Sequence, residues 1–417
     1  MAFQTFRVSS FLAARQLRRA NPWTTALIVA VMTLTFLNLV VISGILVGLI
    51  EGAVVAVQSY YLGDIFISNL KDRDYIESTP AIIAAAKNLP GVKGVTARYI
   101  EGGTIEANYK QARARFYDKI EDVGTSFAGI DPTEENVVTN LKSRIIEGEY
   151  LEKNDFDQVL LGSMLLSQYL DLDSADFPLL DGVGIGSRIR VKIGKVTREV
   201  RVKGIVKSKV DNIDRRVFFT DSQFRTIIGR NDFNADEIAI RLEPKIDPIS
   251  IKESLLAQGF GKVAKIQTQE DAEPKFIKDT KQTFALLGAV IGSIGLVVAA
   301  ITIFIIIFIN AVTRRKYIGI LKGIGIKGSV IELSYVMQAI AYAAAGSLIG
   351  VALVYGFLVP YFAAHPINFP FSDGILVAPL NSTLQRVLIL FIATLIAGYI
   401  PARLVVKQNT LDAILGR

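Results

Sequence analysis

Arg314-Arg315-Lys316-Tyr317-Ile318-Gly319-Ile320-Leu321-Lys322-Gly323-Ile324-Gly325 is a short basic segment set between two long apolar runs. Residues 285–309 before it carry no charge, and neither do residues 333–364 after it. Each run is long enough to cross a hydrocarbon core of ~30 Å. The segment is therefore a tight loop between membrane spans, and its Arg and Lys place it on the cytoplasmic side. Within it Ile318, Leu321 and Ile324 recur at helical spacing, which predicts a short helix with an apolar stripe. A positive-inside loop alone would only fix topology. The stripe argues for a docking helix, because an apolar face inside a charged loop is unfavourable without a partner to cover it. Gly323-Ile324-Gly325-Ile326-Lys327-Gly328 also satisfies the G-x-G-x-x-G pattern. That pattern needs a strand before it and a helix after it within a βαβ unit, and here its flanks are membrane spans.

The same stretch resembles the R-x-R-E-I-G-I-L-K-x-I-G-A segment of the FtsX-like permeases, the membrane subunits of ABC systems that include MacB and the lipoprotein-releasing LolC/LolE pair. Arg315, Ile318, Gly319, Ile320, Leu321, Lys322 and Gly325 match, and Tyr317 stands where the family has Glu. The resemblance implies that Arg314, Arg315, Ile318, Gly319, Ile320, Leu321, Lys322, Ile324 and Gly325 form a coupling helix seated in a groove of a separate cytoplasmic ATPase. ATP and Mg would belong to that partner. A second permease copy or a paralogue would complete a dimer, and a periplasmic adaptor or carrier protein is a further implied partner. ATP-driven closure would move the coupling helices, and the spans would pass that motion to an outer domain, driving efflux or lipoprotein trafficking. An FtsX-like role, regulating a cell-wall hydrolase without transport, is the alternative.

Composition agrees with a membrane protein that has a sizeable soluble part. Of 417 residues, 51% are hydrophobic, and the mean hydropathy is +0.40. The net charge of +7 reads first as cytoplasmic flanks against anionic lipid, not as nucleic-acid binding. With no Cys there is no disulfide or thiol chemistry, and the single His365 excludes a two-histidine metal site. The sequence contains no G-x-x-x-x-G-K-[ST], no HExxH and no G-x-S-x-G, so no catalytic, cofactor or metal residue is expected.

Taken in order, residues 1–22 are a basic amphipathic opening on the cytoplasmic side. Residues 23–50 are an uncleaved first span, too long for a signal-peptide core. Leu12-Ala13-Ala14-Arg15-Gln16-Leu17-Arg18-Arg19-Ala20-Asn21-Pro22 is similar to the opening of the same permeases. Residues 51–284 are charged throughout and lie between an exiting and a returning span, so they face outside. Spans two, three and four are placed at 285–310, 333–359 and 383–401. They are joined by the coupling loop 311–332 and an outer loop 360–382, with a cytoplasmic tail at 402–417. Gly288, Gly292 and Gly295 allow close helix packing in span two. Asn38, deep in span one, is expected to make a helix–helix hydrogen bond. The tail Asn409–Leu415 is similar in part to the family's ending. The chain is thus expected in a bacterial inner membrane, both termini cytoplasmic and the large domain periplasmic.

The outer region shows strand, helix, strand twice. Asp64–Ser68, a helix opened by Thr79-Pro80 and closed by Pro90-Gly91, and Val92–Ile100 form the first set. Glu237–Leu242, a helix from Asp247-Pro248 to Gly259, and Val263–Ile266 form the second. Between them, Ile189, Val191 and Ile193 alternate with Arg188, Arg190 and Lys192 before a Gly194-Lys195 turn, and Val200 and Val202 alternate on the return. The fold class expected is membrane α-helical, with four transmembrane helices and an α/β extracytoplasmic domain. By resemblance that domain is a split βαβ porter-like pair, about 62–129 and 234–270, around a β-rich Sabre-like insert at about 130–233. Asp171, Asp173 and Asp176 read as a solvated acidic loop, and Gly182, Gly184 and Gly186 as turn residues.

Overall fold

The computed structural model describes residues 2–109, 122–170, 178–365, 367–369, 372–374 and 376–407. Asp171, Asp173, Asp176 and the tail motif Asn409–Leu415 lie outside the described residues. The chain divides into two compact units. One comprises residues 1–50, 279–368 and 373–417, and the other residues 51–278 and 369–372.

The first unit is helical. Four helices are long and apolar enough to cross a membrane: Pro22–Leu62, Lys275–Thr313, Gly328–Ala364 and Leu380–Val406. Their apolar centres coincide with the charge-free runs, but each helix is longer than its run. Pro22–Leu62 has 41 residues and Lys275–Thr313 has 39. At roughly 1.5 Å per residue each is about 60 Å long, twice a hydrocarbon core. The last helix does not stop at Pro401, as the sequence reading expected, but continues to Val406. Ala402, Val405 and Val406 are buried in the unit's core, and that packing outweighs the hydrogen bond lost at the proline.

Small residues set the closest approaches. At Gly346 a Cβ would lie 2.4 Å from the Met32 Cβ and 3.0 Å from the backbone of Met32 and Thr33, and at Gly350 it would lie 2.2 Å from Phe36 Cδ1, so the first and third spans approach closely at these glycines. Gly288, Gly292 and Gly295 face Ser43, Leu39 and Asn38 of the first span. A Cβ at Gly295 would meet Asn38 Oδ1 at 2.4 Å. The expected helix–helix hydrogen bond of Asn38 is not made through that oxygen, which is buried without a partner. The opening helix, Ala2–Arg18, buries Ser9, Leu12, Ala13 and Gln16. The Ser9 hydroxyl donates to the Val330 carbonyl at 2.9 Å, and Gln338 donates to Gln16.

The second unit is built on one mixed sheet of ten strands, in the order β10-β1-β9-β2-β3-β8-β5-β7-β4, with β6 pairing β2 and β7. The strands are β1 Ile65–Ser68, β2 Val92–Glu106, β3 Asp122–Ile130, β4 Ile145–Gly148, β5 Gln158–Gly162, β6 Arg188–Ile193, β7 Val196–Val206, β8 Arg216–Thr220, β9 Glu237–Leu242 and β10 Lys265–Thr268. At one end two strand–helix–strand units interleave. β1 and β2 flank the helix Thr79–Lys87, and β9 and β10 flank Pro248–Ala257. Asp247 caps the latter by accepting from the Ile249 amide at 3.0 Å. Thr79 is not the cap of the former. Ser78 holds that position, and Thr79 is buried, donating to the Ile76 carbonyl at 2.8 Å.

The β-rich region around 130–233 does not form a separate sheet. β2 carries the sheet from one part to the other: residues 92–98 pair with β9, 98–106 with β3, and 103–106 also with β6. Gly103 makes this possible, since a Cβ there would lie 2.2 Å from the Lys192 carbonyl oxygen. β3, adjoining the expected boundary at 129, runs parallel to β8 inside the same sheet. The hairpin β6–β7 turns at Gly194-Lys195, with Ile193 opposite Val196. Ile189, Val191, Ile193, Val200 and Val202 fill a core with Phe127 and Phe219. Its charged face is only partly solvated, because Arg190 and Lys192 both pair with the buried Glu106 of β2.

Candidate coupling site

The helix Arg315–Gly323 follows the second span and is followed, at Gly328, by the third. Its end is fixed by local chemistry. Gly325 adopts φ +96°, which a residue with a Cβ rarely does. The Ile326 amide then donates to the Leu321 carbonyl and the Gly325 amide to the Lys322 carbonyl, both at 3.0 Å. That pair of bonds is a Schellman stop.

The apolar residues of this helix divide between two faces. Ile318 and Leu321 are 2% and 6% exposed and share one core with Ile331, Tyr335, Ala402, Val405 and Val406 of the chain's own spans. Gly319 is buried with them. Lys322 is partly buried, and its Nζ donates to the Val406 carbonyl at 2.9 Å. Arg314 and Arg315 are likewise partly buried. Ile318 and Leu321 were expected to enter a partner's groove, and their burial corrects that expectation. The outward face is Tyr317, Ile320 and Ile324, which are 46%, 53% and 70% exposed. These sit at i, i+3 and i+7, one stripe of a helix, with Lys316 and Lys327 also exposed. The linker is thus a helix clamped to its own bundle by one face and presenting a second, apolar face outward.

The second unit holds a buried ionic network. Arg98 of β2, 2% exposed, donates through Nη2 to Glu135 Oε1 at 2.8 Å and through Nη1 to Glu237 Oε2 at 3.1 Å. Arg216 of β8 donates to Glu237 Oε1 at 3.1 Å. Thr96 and Thr139 donate to Glu135 at 2.9 and 3.0 Å. The end of the helix Pro22–Leu62 is tied into the same group. Arg98 Nη2 also donates to the Tyr61 carbonyl at 2.8 Å, and the Tyr61 hydroxyl donates to Glu237 at 2.5 Å. Arg241 adds a bond to the Ser59 carbonyl at 2.9 Å. Residues 58–62 form a π-helical turn, a local irregularity that re-aims Tyr61 into the sheet.

Burial works against the charge of Glu237, but Arg216 and Arg98 outweigh it and hold its carboxyl below the usual glutamate range. A carboxylate with a depressed folded value contributes stability that is present above the unfolded value, about 4.3, and is lost as pH falls toward the folded one. Thermal unfolding of the purified chain is therefore expected to shift down steeply below about pH 4, and a Glu237→Gln variant is expected to shift less. Equal slopes would contradict this assignment.

Among the described residues no group of three or more His, Asp or Glu is arranged to hold a metal ion. The network was not legible in sequence, because its members are scattered from Tyr61 to Glu237. Arg386 was also missed. It is the sole charged residue within 380–402 and lies inside the interval 383–401 assigned to a span.

Residues 289–410 match the FtsX-like permease C-terminal domain, an interval that takes in the linker helix and the spans on both sides of it. The chain thus carries an FtsX-like permease C-terminal domain. Among its relatives, the macrolide export ATP-binding/permease protein MacB of Agrobacterium fabrum is 26% identical over 198 residues, 46% of this chain and 29% of that protein. The MacB of Bdellovibrio bacteriovorus is 29% identical over 180 residues, 40% of this chain and 27% of that protein. The permease thus matches less than a third of the length of these relatives. The crystal structure of the periplasmic region of MacB from Actinobacillus actinomycetemcomitans aligns with a TM-score of 0.37 at 15% identity, covering 54% of the permease and 95% of that chain.

Proposed function

We propose that the permease couples ATP hydrolysis by a separate cytoplasmic ATPase subunit to movement of its mixed α/β unit, placed outside the membrane, and so drives efflux or substrate trafficking. The observation that carries this reading is the linker helix, which presents Tyr317, Ile320 and Ile324 outward from a face anchored by Ile318 and Leu321. An anchored helix moves its spans when it is pushed, whereas a free loop would absorb the push. In this reading both termini and the linker are cytoplasmic. The helices Pro22–Leu62 and Lys275–Thr313 carry the motion outward, and a second permease copy or paralogue completes the assembly. The split βαβ pair corresponds to β1, β2, β9 and β10 with their helices, and the Sabre-like part to β4–β8. ATP and Mg act in the partner subunit.

The test is an Ile320→Asp permease. Ile320 already faces outward, so the chain should insert and accumulate normally. Its association with the ATPase should fall by about tenfold or more, since a carboxylate facing an apolar groove is left unpaired. Pull-down from lipid with full ATPase recovery would contradict the proposal.

A further inference from the structure

The four apolar spans contain one charged side chain. Across residues 22–50, 285–312, 333–364 and 380–402, only Arg386 carries a charge. An ionisable group at membrane depth is costly to keep and is held by a partner or a ligand. Arg386 has no carboxylate partner among the described residues. Its Nη2 donates to Ser43 Oγ of the first span at 2.7 Å, and its Nη1 is buried without a hydrogen-bond partner. The neighbouring hydroxyls are turned elsewhere, since Tyr355 donates to the Ala378 carbonyl at 3.0 Å and accepts from the Thr383 hydroxyl at 2.9 Å. One hydroxyl does not neutralise a guanidinium.

The position of Arg386 narrows what does. From Val387 to Ala402 the helix rises about 24 Å at roughly 1.5 Å per residue, close to one hydrocarbon thickness. Arg386 therefore stands at the edge of the apolar layer, at the end of the bundle remote from the linker helix. Its side chain is partly exposed, and Ile389, one turn further on, is exposed in an apolar stretch with Leu388. A ligand reaching the guanidinium would lay its apolar part along these residues. A planar fork with unsatisfied donors suits a phosphate oxygen pair. We infer that Arg386, backed by Ser43, is a binding site for the phosphodiester of a membrane glycerophospholipid. This site requires only that the spans lie in a bilayer, and it is independent of the ATPase reading.

The experiment uses the full-length permease purified in mild detergent and probed by native mass spectrometry during stepwise delipidation. The probes are phosphatidylglycerol, diacylglycerol and inorganic phosphate. Wild type is expected to retain phosphatidylglycerol at least about tenfold more tightly than diacylglycerol. Arg386→Gln should lose that preference, and Arg386→Lys should keep part of it. Ser43→Ala, which keeps the cation but frees Nη2, should weaken the preference less than Arg386→Gln does, and a wild-type melting temperature of Arg386→Gln in detergent excludes a folding defect. Equal retention of the two lipids by wild type would overturn the proposal, as would an unchanged preference in Arg386→Gln. Binding of inorganic phosphate that phosphatidylglycerol does not displace would overturn the lipid as its source.

Discussion

Arg98→Met is expected to destabilise the α/β unit by about 3–5 kcal/mol, the cost of leaving buried carboxylates without their cation. Arg98 is the hub of the network. It holds Glu135 by two nitrogens, shares Glu237 with Arg216 and bonds the Tyr61 carbonyl. Removing it strands Glu135, which is 2% exposed and keeps only the hydroxyls of Thr96 and Thr139. For a unit of this size the unfolding midpoint should fall on the order of 10 °C. Substituting Glu135 with Met as well should recover part of that loss, because the stranded charge is then gone. Differential scanning of the three proteins checks both statements. A double variant less stable than the single would show that packing, not charge, dominates.

Leu321→Asp should have the second large effect, and of a different kind from Ile320→Asp. Leu321 packs among the permease's own spans. A carboxylate there is buried without a partner, which costs several kcal/mol. The variant should accumulate poorly and melt early in detergent, whereas its neighbour Ile320→Asp should melt like wild type. Equal melting of the two would mean that the linker helix does not pack as described.

These two cases mark where sequence was informative and where it stopped. The four spans were legible because long charge-free runs have few other readings. The hairpin at Gly194-Lys195 was legible because alternation on both sides fixes register around a two-residue turn. The linker was legible as a helix but not in orientation. Apolar residues at 317, 318, 320, 321 and 324 spread over about 160° at roughly 100° per residue, too wide an arc for spacing alone to say which of them look inward. The stripe Ile318, Leu321 and Ile324 mixes two buried residues with an exposed one. The orientation is set by the core that Ile318 and Leu321 share with Ile331 and Tyr335 of the third span and with Ala402, Val405 and Val406 of the last helix.

The long-range features had no local signal. Arg98, Glu135, Arg216 and Glu237 each read as one charge in a charged region, and their pairing depends on strand order. The continuity of the sheet rests likewise on β2 being long enough to serve β9, β3 and β6, and the approach of β6 depends on Gly103. Arg386 is the exception. It was visible as the sole charge in four apolar spans, and only its single hydroxyl partner had to come from the structure.

The central claim, that the linker helix docks a partner through Tyr317, Ile320 and Ile324 while Ile318 and Leu321 hold it to the bundle, can be tested by cysteine accessibility. The chain has no cysteine, so each introduced thiol is unique. Ile318→Cys, Ile320→Cys and Ile324→Cys permeases in inside-out vesicles would be labelled with a membrane-impermeant maleimide, with and without the ATPase subunit. The account predicts rapid labelling at 320 and 324 that the ATPase suppresses, and slow labelling at 318 in both conditions. Labelling at 320 and 324 that is unchanged by the ATPase, or protection that appears at 318 instead, would contradict it.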